Sequence, residues 1–267
     1  MDERLREAID GAEAYESLHV PSLFEEWAPR VLDAADVASG HRVLDVACGT
    51  GILARMARAR VGSSGTVAGV DPNRGMLTVA RRLDPRVHWW EGTAEALPVE
   101  DDSLDRVLSQ FGMMFFTEPA RAIEEMVRVL VPGGRFAIAV WDSLQNSPAY
   151  SREVDLLESM AGEDAANALR APFALGDAAA LGELVESAAC CSVRVSTVVG
   201  RGRFPSIRSM VEADLRGWLP VMGVDLEEDL IAAILAAAEG ELAEFVLPDG
   251  RTDFSASAHI LNGCTPA

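Results

Sequence analysis

Residues 43–51 read Val-Leu-Asp-Val-Ala-Cys-Gly-Thr-Gly, an apolar run that passes directly into a glycine turn. The apolar run predicts a buried strand, and the turn suits a close connection to a following helix. Short apolar runs continue to alternate with amphipathic stretches as far as Trp141. This alternation is typical of βαβ units and predicts a mostly parallel sheet.

Capping signals and apolar runs predict where the elements of this sheet begin and end. Asn73 is suited to cap a helix from Arg74, and Pro119 to start another helix that ends at residues 131–134. We therefore expect an α/β fold with a doubly wound sheet of about seven strands, the last antiparallel, with helices on both faces. The predicted strands are Arg42–Ala47, Thr66–Val70, Val87–Trp90, Leu104–Leu108, Arg135–Trp141, Cys191–Val199 and Phe254–Leu261.

Composition narrows the class of protein. The chain has 267 residues and a formal net charge of −19. The negative field of such a protein repels phosphate backbones and anionic lipid. We therefore expect neither nucleic acid nor membrane insertion, and the lack of an apolar leader predicts a cytoplasmic protein. The cysteines lack disulfide or metal-ligand spacing, so we interpret them as reduced thiols and expect no metal site. They are Cys48, Cys190, Cys191 and Cys264.

Two features after the first and second strands predict a nucleoside-bearing cofactor. Gly49 and Gly51 allow a tight turn that a ligand can approach closely. Asp71 ends the second strand, where its carboxylate can accept hydrogen bonds from both hydroxyls of a ribose. Ligands of open α/β sheets bind at this edge, so we expect the turn and the carboxylate to share one ligand.

Two cofactors fit this pattern. Residues 49–54 satisfy the G-x-G-x-x-A fingerprint, so a nicotinamide-dependent oxidoreductase is an alternative. Asp45, however, places an acid just before the turn, where it would crowd a pyrophosphate but could anchor a cation. S-adenosylmethionine carries an ammonium and a sulfonium and has no phosphate, so the acid favours it.

Four segments resemble those of a known family. Residues 43–51 resemble the first motif of class I S-adenosylmethionine-dependent methyltransferases, particularly the group of the ubiquinone and menaquinone C-methyltransferases. Residues 92–98 are similar to that group's segment after the third strand, 104–112 to its fourth-strand motif, and 128–134 to its approach to the fifth strand. The four segments occur in the family's order, whereas the remainder of the chain matches only in general layout.

The resemblance implies roles for residues after the first two strands. Gly49 and Gly51 would bracket the methionine part of the cofactor, and Asp71 would hold the ribose hydroxyls. Met76 would pack on the adenine, although ordinary core packing is an alternative for a methionine. Asp45 completes this half of the predicted cofactor site.

The resemblance also implies contacts after the third and fourth strands. The amide of Ala94 would contact the adenine edge, and Gln110 would lie beside the methionine part. Thr93 stands where the family usually has an aspartate, so its hydroxyl would accept from the adenine amine as a neutral and weaker partner. The cofactor would leave as S-adenosylhomocysteine.

Methyl transfer depends above all on alignment, and a general base helps when the acceptor is a hydroxyl or an acidic carbon. His19 and Tyr15 are the predicted catalytic residues, since their segment is expected to fold over the cofactor; Tyr15 could instead close the pocket. Trp141 and Asp142, at the end of the fifth strand, are predicted to face the substrate, although core packing is an alternative for Trp141. We interpret the other histidines as structural: His41, His88 and His259.

The pattern of the chain predicts a division into segments. We expect a helical cap, a core that binds S-adenosylmethionine, two helical lid insertions rich in small apolar residues, and two segments that complete the sheet. These segments are, in that order, residues 1–40, 41–142, 143–175 with 206–247, and 176–205 with 248–267.

The predicted function is methyl transfer to a small molecule, through an oxygen, nitrogen or carbon atom that the sequence does not specify. A homodimer is left open. A protein that binds the cofactor without catalysis, as a regulator, is an alternative because transfer driven by proximity leaves no recognisable catalytic signature.

Overall fold

A seven-stranded sheet forms the centre of the computed structural model, which describes residues 3–188 and 192–266. Cys190 and Cys191 lie outside the described residues. The strands are β1 Arg42–Val46, β2 Thr66–Asp71, β3 His88–Glu91, β4 Leu104–Gln110, β5 Leu130–Trp141, β6 Ser192–Phe204 and β7 Thr252–Cys264.

The strand order is β3-β2-β1-β4-β5-β7-β6. Strands β1 to β5 pair in parallel, and β7 runs antiparallel to both β5 and β6. The predicted fold class, a doubly wound and mostly parallel sheet, is thereby confirmed. Between β1 and β4 the order reverses direction, which is where such sheets bind their ligands.

Alternating side chains of the central strands supply two cores, one on each face of the sheet. Val43 packs in a cluster with Leu53 and other apolar residues from the helices of one face. Its neighbour Leu44 packs in the opposite cluster, with Ile123 and Met126. Burial on both faces explains why these strands are apolar almost throughout.

Helices cover the sheet and continue in two places as a five-residue π-helical turn. One turn, Val20–Phe24, follows α1, and the other, Asp214–Trp218, follows α9. No helix of the described chain has both the length and the apolar character needed to cross a membrane. The α-helices are α1 Glu3–His19, α2 Ala28–Ala34, α3 Ile52–Val61, α4 Arg74–Leu83, α5 Pro119–Arg128, α6 Pro148–Ala161, α7 Glu163–Arg170, α8 Ala178–Glu186, α9 Ile207–Ala213 and α10 Glu228–Glu241.

The local signals for helix starts are confirmed. The side chain of Asn73 accepts hydrogen bonds from the amides of Gly75 and Met76, at 2.8 and 3.2 Å. The predicted end of α5 at residues 131–134 is wrong. That helix ends at Arg128, because the chain turns at once into β5 and pairs with the start of β4.

The N-terminal helix α1 packs closely on α4 because α4 has no side chain at the point of contact. A Cβ atom on Gly75 would come within 2.2 Å of the carbonyl oxygen of Ala8. Only glycine permits this approach of α1 to α4. The contact sets the position of the C-terminal end of α1, which carries Tyr15 and His19.

Candidate active site

The carboxyl ends of β1 and β4 meet through strained backbone. Ala47 and Phe111 have φ angles of 57° and 56°, which non-glycine residues rarely adopt. Gly112 permits the close approach, since a Cβ atom there would lie 2.5 Å from the Cβ of Ala47. Strain of this kind persists where the surrounding structure enforces it, and it clusters at functional sites.

A cleft of about 370 Å³ opens at this point. Its volume lies within the range of small-ligand sites. Tyr15 and Phe111 contribute to its wall beside Trp218 from the second π-helical turn. Five residues of the predicted cofactor set also line it: Gly49, Asp71, Met76, Thr93 and Ala94.

Asp71 is held rigidly at the edge of this cleft. One carboxylate oxygen accepts from the amide of Gly49 and the other from the amide of Asn73, each at 2.8 Å. Burial raises the pKa of Asp71, and these two amides partly offset the rise. Each carboxylate oxygen keeps further acceptor capacity, so the group can still accept from ribose hydroxyls.

The charges of the cleft suit a cation better than a pyrophosphate. Among the described residues no arginine, lysine or histidine lines it, whereas Asp71 and Glu95 do. Two backbone amides on either side of the glycine turn already donate to carboxylates. Gly49 donates to Asp71, and Ala54 donates to Asp45 at 2.9 Å. A pyrophosphate in this cleft would meet the carboxylates of Asp71 and Glu95 and no cationic side chain among the described residues.

Three residues of the predicted cofactor set lie outside the lining of the cleft, so the structure does not show the direct contacts predicted for them. Asp45 is buried against α3, and burial raises its pKa to about 8. The role of Gly51 is steric, since a Cβ atom there would lie 2.3 Å from the ring of Trp89. Gln110 donates to the carbonyl of Phe24 at 3.0 Å, and its own carbonyl oxygen is buried without a partner among the described residues.

A second cavity of about 70 Å³ adjoins the cleft. Tyr15, Phe111, Phe115 and Trp218 line both, so the two spaces share a wall. Trp141 lines the second cavity and stacks on Phe111, with ring centroids 3.8 Å apart. The other aromatic residues of this cavity are Phe24, Tyr150 and Phe173.

His19 lies in this second cavity, buried against an acid that sequence reasoning missed. Its Nε2 atom is 3.2 Å from the Oδ1 atom of Asp214, 195 positions along the chain. The Nδ1 atom of His19 and the Oδ2 atom of Asp214 are both buried without a partner among the described residues. No local signal marks Asp214, because only the tertiary fold brings it to His19.

Tyr15 lies between the two cavities. Its ring stacks on those of His19 and Phe24, with centroid distances of 5.6 and 5.3 Å. Burial raises the pKa of its hydroxyl, and the nearby carboxylates of Asp71 and Glu16 raise it further. The hydroxyl therefore keeps its proton, which suits a wall residue and not a base.

Asp142 is buried beside the second cavity but does not line it. Its carboxylate accepts from the amide of Ser143 at 2.7 Å and from the side chain of Asn146 at 3.0 Å. His259 lies 3.3 Å away and also contacts the hydroxyl of Thr197 at 2.9 Å. Both side chains brace the chain where it leaves β5, so the structure does not bring Asp142 into the lining of this cavity.

Comparison with known proteins shows which part of the chain is similar to methyltransferases. Residues 44–138 match the family described as a methyltransferase domain. A demethylmenaquinone methyltransferase from Renibacterium salmoninarum is 41% identical over 113 residues, which cover 42% of this chain and 46% of that protein. A 2-phytyl-1,4-naphtoquinone methyltransferase from Thermosynechococcus vestitus is 34% identical over 128 residues, or 47% of this chain and 57% of that one.

The chain spans about half the length of the curated relatives it matches. Likeness of fold extends further. The structure of YcgJ from Bacillus subtilis has a TM-score of 0.58 and covers 91% of this chain and 99% of its own, at 18% identity. The family predicted from the four sequence motifs is thus confirmed by the domain match and the fold together. Residues 44–138 of this chain match a methyltransferase domain, and the whole chain has the fold of the solved structure.

Proposed function

We propose that this protein transfers a methyl group from S-adenosylmethionine to a small-molecule acceptor and releases S-adenosylhomocysteine. The observation that carries the proposal is the pair of adjoining cavities at the β1/β4 switch point. One contains the Asp71 carboxylate and lacks cationic side chains among the described residues, and the other is aromatic and contains His19. Such a pair can hold a cationic methyl donor in line with an acceptor.

The residues of the cleft fit the cofactor. Asp71 would hold the ribose hydroxyls, and Met76 would pack on the adenine beside the amide of Ala94 and the hydroxyl of Thr93. Gly49 would lie under the methionine part, where the absence of a side chain leaves the cleft open. When bound, the cofactor supplies an electrophilic methyl group on sulfur.

Three more of the predicted residues would act without lining the cleft. Asp45 would hold the first turn of α3, and Gly51 would let that turn pack on the third strand. Gln110 would direct its unpartnered carbonyl oxygen toward the ammonium of the cofactor while its amide holds the first π-helical turn.

In the acceptor cavity, His19 would take a proton and Asp214 would orient it, while Tyr15 and Trp141 would exclude water. The relatives named above are quinone methyltransferases, but they match about half of this chain. We therefore propose a small molecule as acceptor without carrying over theirs.

The predicted segments have these roles in the proposal: a cap at 1–40, the cofactor core at 41–142, the lid at 143–175 and 206–247, and sheet completion by the remainder. The cytoplasmic location and a homodimer stay predictions from the sequence.

Calorimetric titration tests this function. The purified protein should bind S-adenosylmethionine and S-adenosylhomocysteine at micromolar concentrations and should not bind NADH. Binding of NADH alone would contradict the proposal. Formation of S-adenosylhomocysteine during incubation with S-adenosylmethionine and a panel of acceptors would then separate an enzyme from a regulator that only binds the cofactor.

A further inference from the structure

Three polar groups in the acceptor cavity lack partners among the described residues. They are the Nδ1 atom of His19, the Oδ2 atom of Asp214 and the hydroxyl of Ser147, on side chains that line the cavity. The three residues are only 4%, 3% and 1% exposed. Buried polar groups are normally hydrogen-bonded, so three in one small cavity indicate a ligand that would bond to them.

The hydrogen bond between His19 and Asp214 determines what that ligand must offer. A carboxylate only accepts, so its contact with Nε2 places the imidazole proton there and leaves a lone pair on Nδ1. Burial raises the pKa of Asp214, while its hydrogen bond to His19 lowers it. Both free atoms, Nδ1 and Oδ2, therefore face the cavity as acceptors. The ligand must donate a hydrogen bond, as a hydroxyl or an N–H group does.

The walls of the cavity exclude an anionic ligand and suit a flat one. No arginine or lysine lines it among the described residues. Glu153, next to Asp214, is fully buried as a further acid, and burial together with the Asp214 charge raises its pKa well above the usual value. A carboxylate or phosphate would find no cation here. The stacked Phe111 and Trp141 rings instead offer an aromatic face.

A hydroxyl fits the His19 and Asp214 pair better than an amine does. An uncharged amine attacks with its own lone pair, whereas a hydroxyl is a weak nucleophile until a base removes its proton. A buried imidazole oriented by a carboxylate is a typical arrangement for removing such a proton.

We infer that the acceptor is an uncharged phenol, whose hydroxyl enters this small cavity and donates to Nδ1 of His19 while its ring packs on the aromatic wall that the cavity shares with the cleft. This inference rests on the proposed function. The O–H proton passes to Nδ1 and an oxygen electron pair forms the bond to the methyl carbon. The carbon–sulfur bond breaks and leaves its electron pair on sulfur, so the sulfonium becomes a neutral thioether. His19 is the catalytic base, and Asp214 is a positioning residue.

Binding of three compounds that share one ring and differ in one polar group tests the substrate class without measuring turnover. The protein saturated with S-adenosylhomocysteine is titrated calorimetrically with 4-ethylphenol, 4-ethylbenzoate and 4-ethylaniline. The phenol should bind at least about tenfold more tightly than the benzoate, which is the loss expected for an unpaired charge, and more tightly than the aniline. Equal or tighter binding of the benzoate or the aniline would overturn the inference. Failure to bind S-adenosylhomocysteine would instead overturn the proposed function.

Variants test the base. His19→Ala should lower the methylation rate of 4-ethylphenol by about 100-fold or more, and Asp214→Asn by a smaller factor, with unchanged affinity for S-adenosylhomocysteine. The residual rate of His19→Ala should rise with pH as free phenol ionises, whereas a structural defect would lower the rate equally at every pH. His41→Ala, a histidine outside the cavity, should behave as wild type. If His19→Ala does not fold, Asp214→Asn carries the test. A wild-type rate in Asp214→Asn would then overturn the assignment.

Discussion

The cofactor cleft and the acceptor cavity share a wall but are built in different ways. The predicted cofactor residues of the cleft lie at or just after the ends of β1, β2 and β3, so short segments of sequence specify them, whereas Tyr15 and Trp218 complete the wall from elsewhere in the chain. The acceptor cavity brings His19 together with Asp214 from distant parts of the chain. The methyltransferase domain match covers residues 44–138, so it includes neither His19 nor Asp214. Cofactor chemistry is therefore encoded locally here, and acceptor chemistry arises from tertiary packing.

The largest expected effect is a loss of folding stability on substitution in the glycine turn, and it tests whether this short segment sets the shape of the cleft. Gly51→Ala should lower the free energy of unfolding by about 4 kcal/mol, because the new Cβ atom would overlap Trp89 at a φ of 86°. Gly133→Ala is the matched control, with a φ of 75° and no atom within 4 Å, and should lose only about 1 kcal/mol. Equal losses in denaturant titrations would show that the Trp89 contact does not constrain the turn.

The next effect concerns cofactor affinity. Asp71→Ala should weaken binding of S-adenosylhomocysteine by about 100-fold, since two hydrogen bonds to a charged group would be lost. Asp155→Ala removes an exposed carboxylate from α6 and should change nothing. Calorimetric titration of both variants makes the comparison. An Asp71→Ala variant that folds and binds as wild type would place the ribose elsewhere.

A smaller effect concerns the buried acid of the acceptor half. Burial and the Asp214 charge raise the pKa of Glu153. At a pH between the ordinary carboxyl pKa and this raised value, Glu153 is protonated in the native state and ionised in the unfolded chain. The free energy of unfolding should therefore fall as pH rises through this interval, until the raised native pKa is passed. Glu153→Gln removes this titration and should be more stable than wild type by about 1 kcal/mol near pH 8. Parallel pH profiles of the two proteins in denaturant titrations would contradict this account.

The smallest effect concerns the acid behind the cleft. Burial raises the pKa of Asp45 to about 8, and a bound sulfonium would favour its ionised form. The affinity for S-adenosylmethionine relative to S-adenosylhomocysteine should therefore increase by about threefold as pH rises toward 8, and level off above it. Asp45→Asn should abolish the increase. A ratio that is independent of pH in wild type would remove Asp45 from cofactor recognition.

Sequence reasoning succeeded where one local pattern sets the geometry. Asp71 follows an apolar strand and Asn73 caps the next helix, so both positions are determined within a few residues. The mostly parallel pairing of the sheet also follows from the βαβ rhythm and the family motifs. For the same reason the cleft brings together Gly49, Thr93 and Ala94, each near the end of a predicted strand.

The remainder depends on packing that no local pattern shows. The sequence predicted an end of α5 several residues beyond the observed one, because the start of β5 pairs with β4 and the helix therefore does not continue. Asp142 was assigned to the substrate by its place after β5, yet its carboxylate is turned toward Ser143 and Asn146. Asp214 sits in a π-helical turn against His19, a contact set by the meeting of α1 with the lid.

The most direct test of the account is a crystal structure with S-adenosylhomocysteine bound. We predict that the ribose hydroxyls lie within hydrogen-bond distance of the Asp71 carboxylate and that the sulfur atom faces the wall shared with the His19 cavity. A ligand that binds outside this cleft, or one whose sulfur points away from His19, would contradict the assignment of the two cavities to cofactor and acceptor.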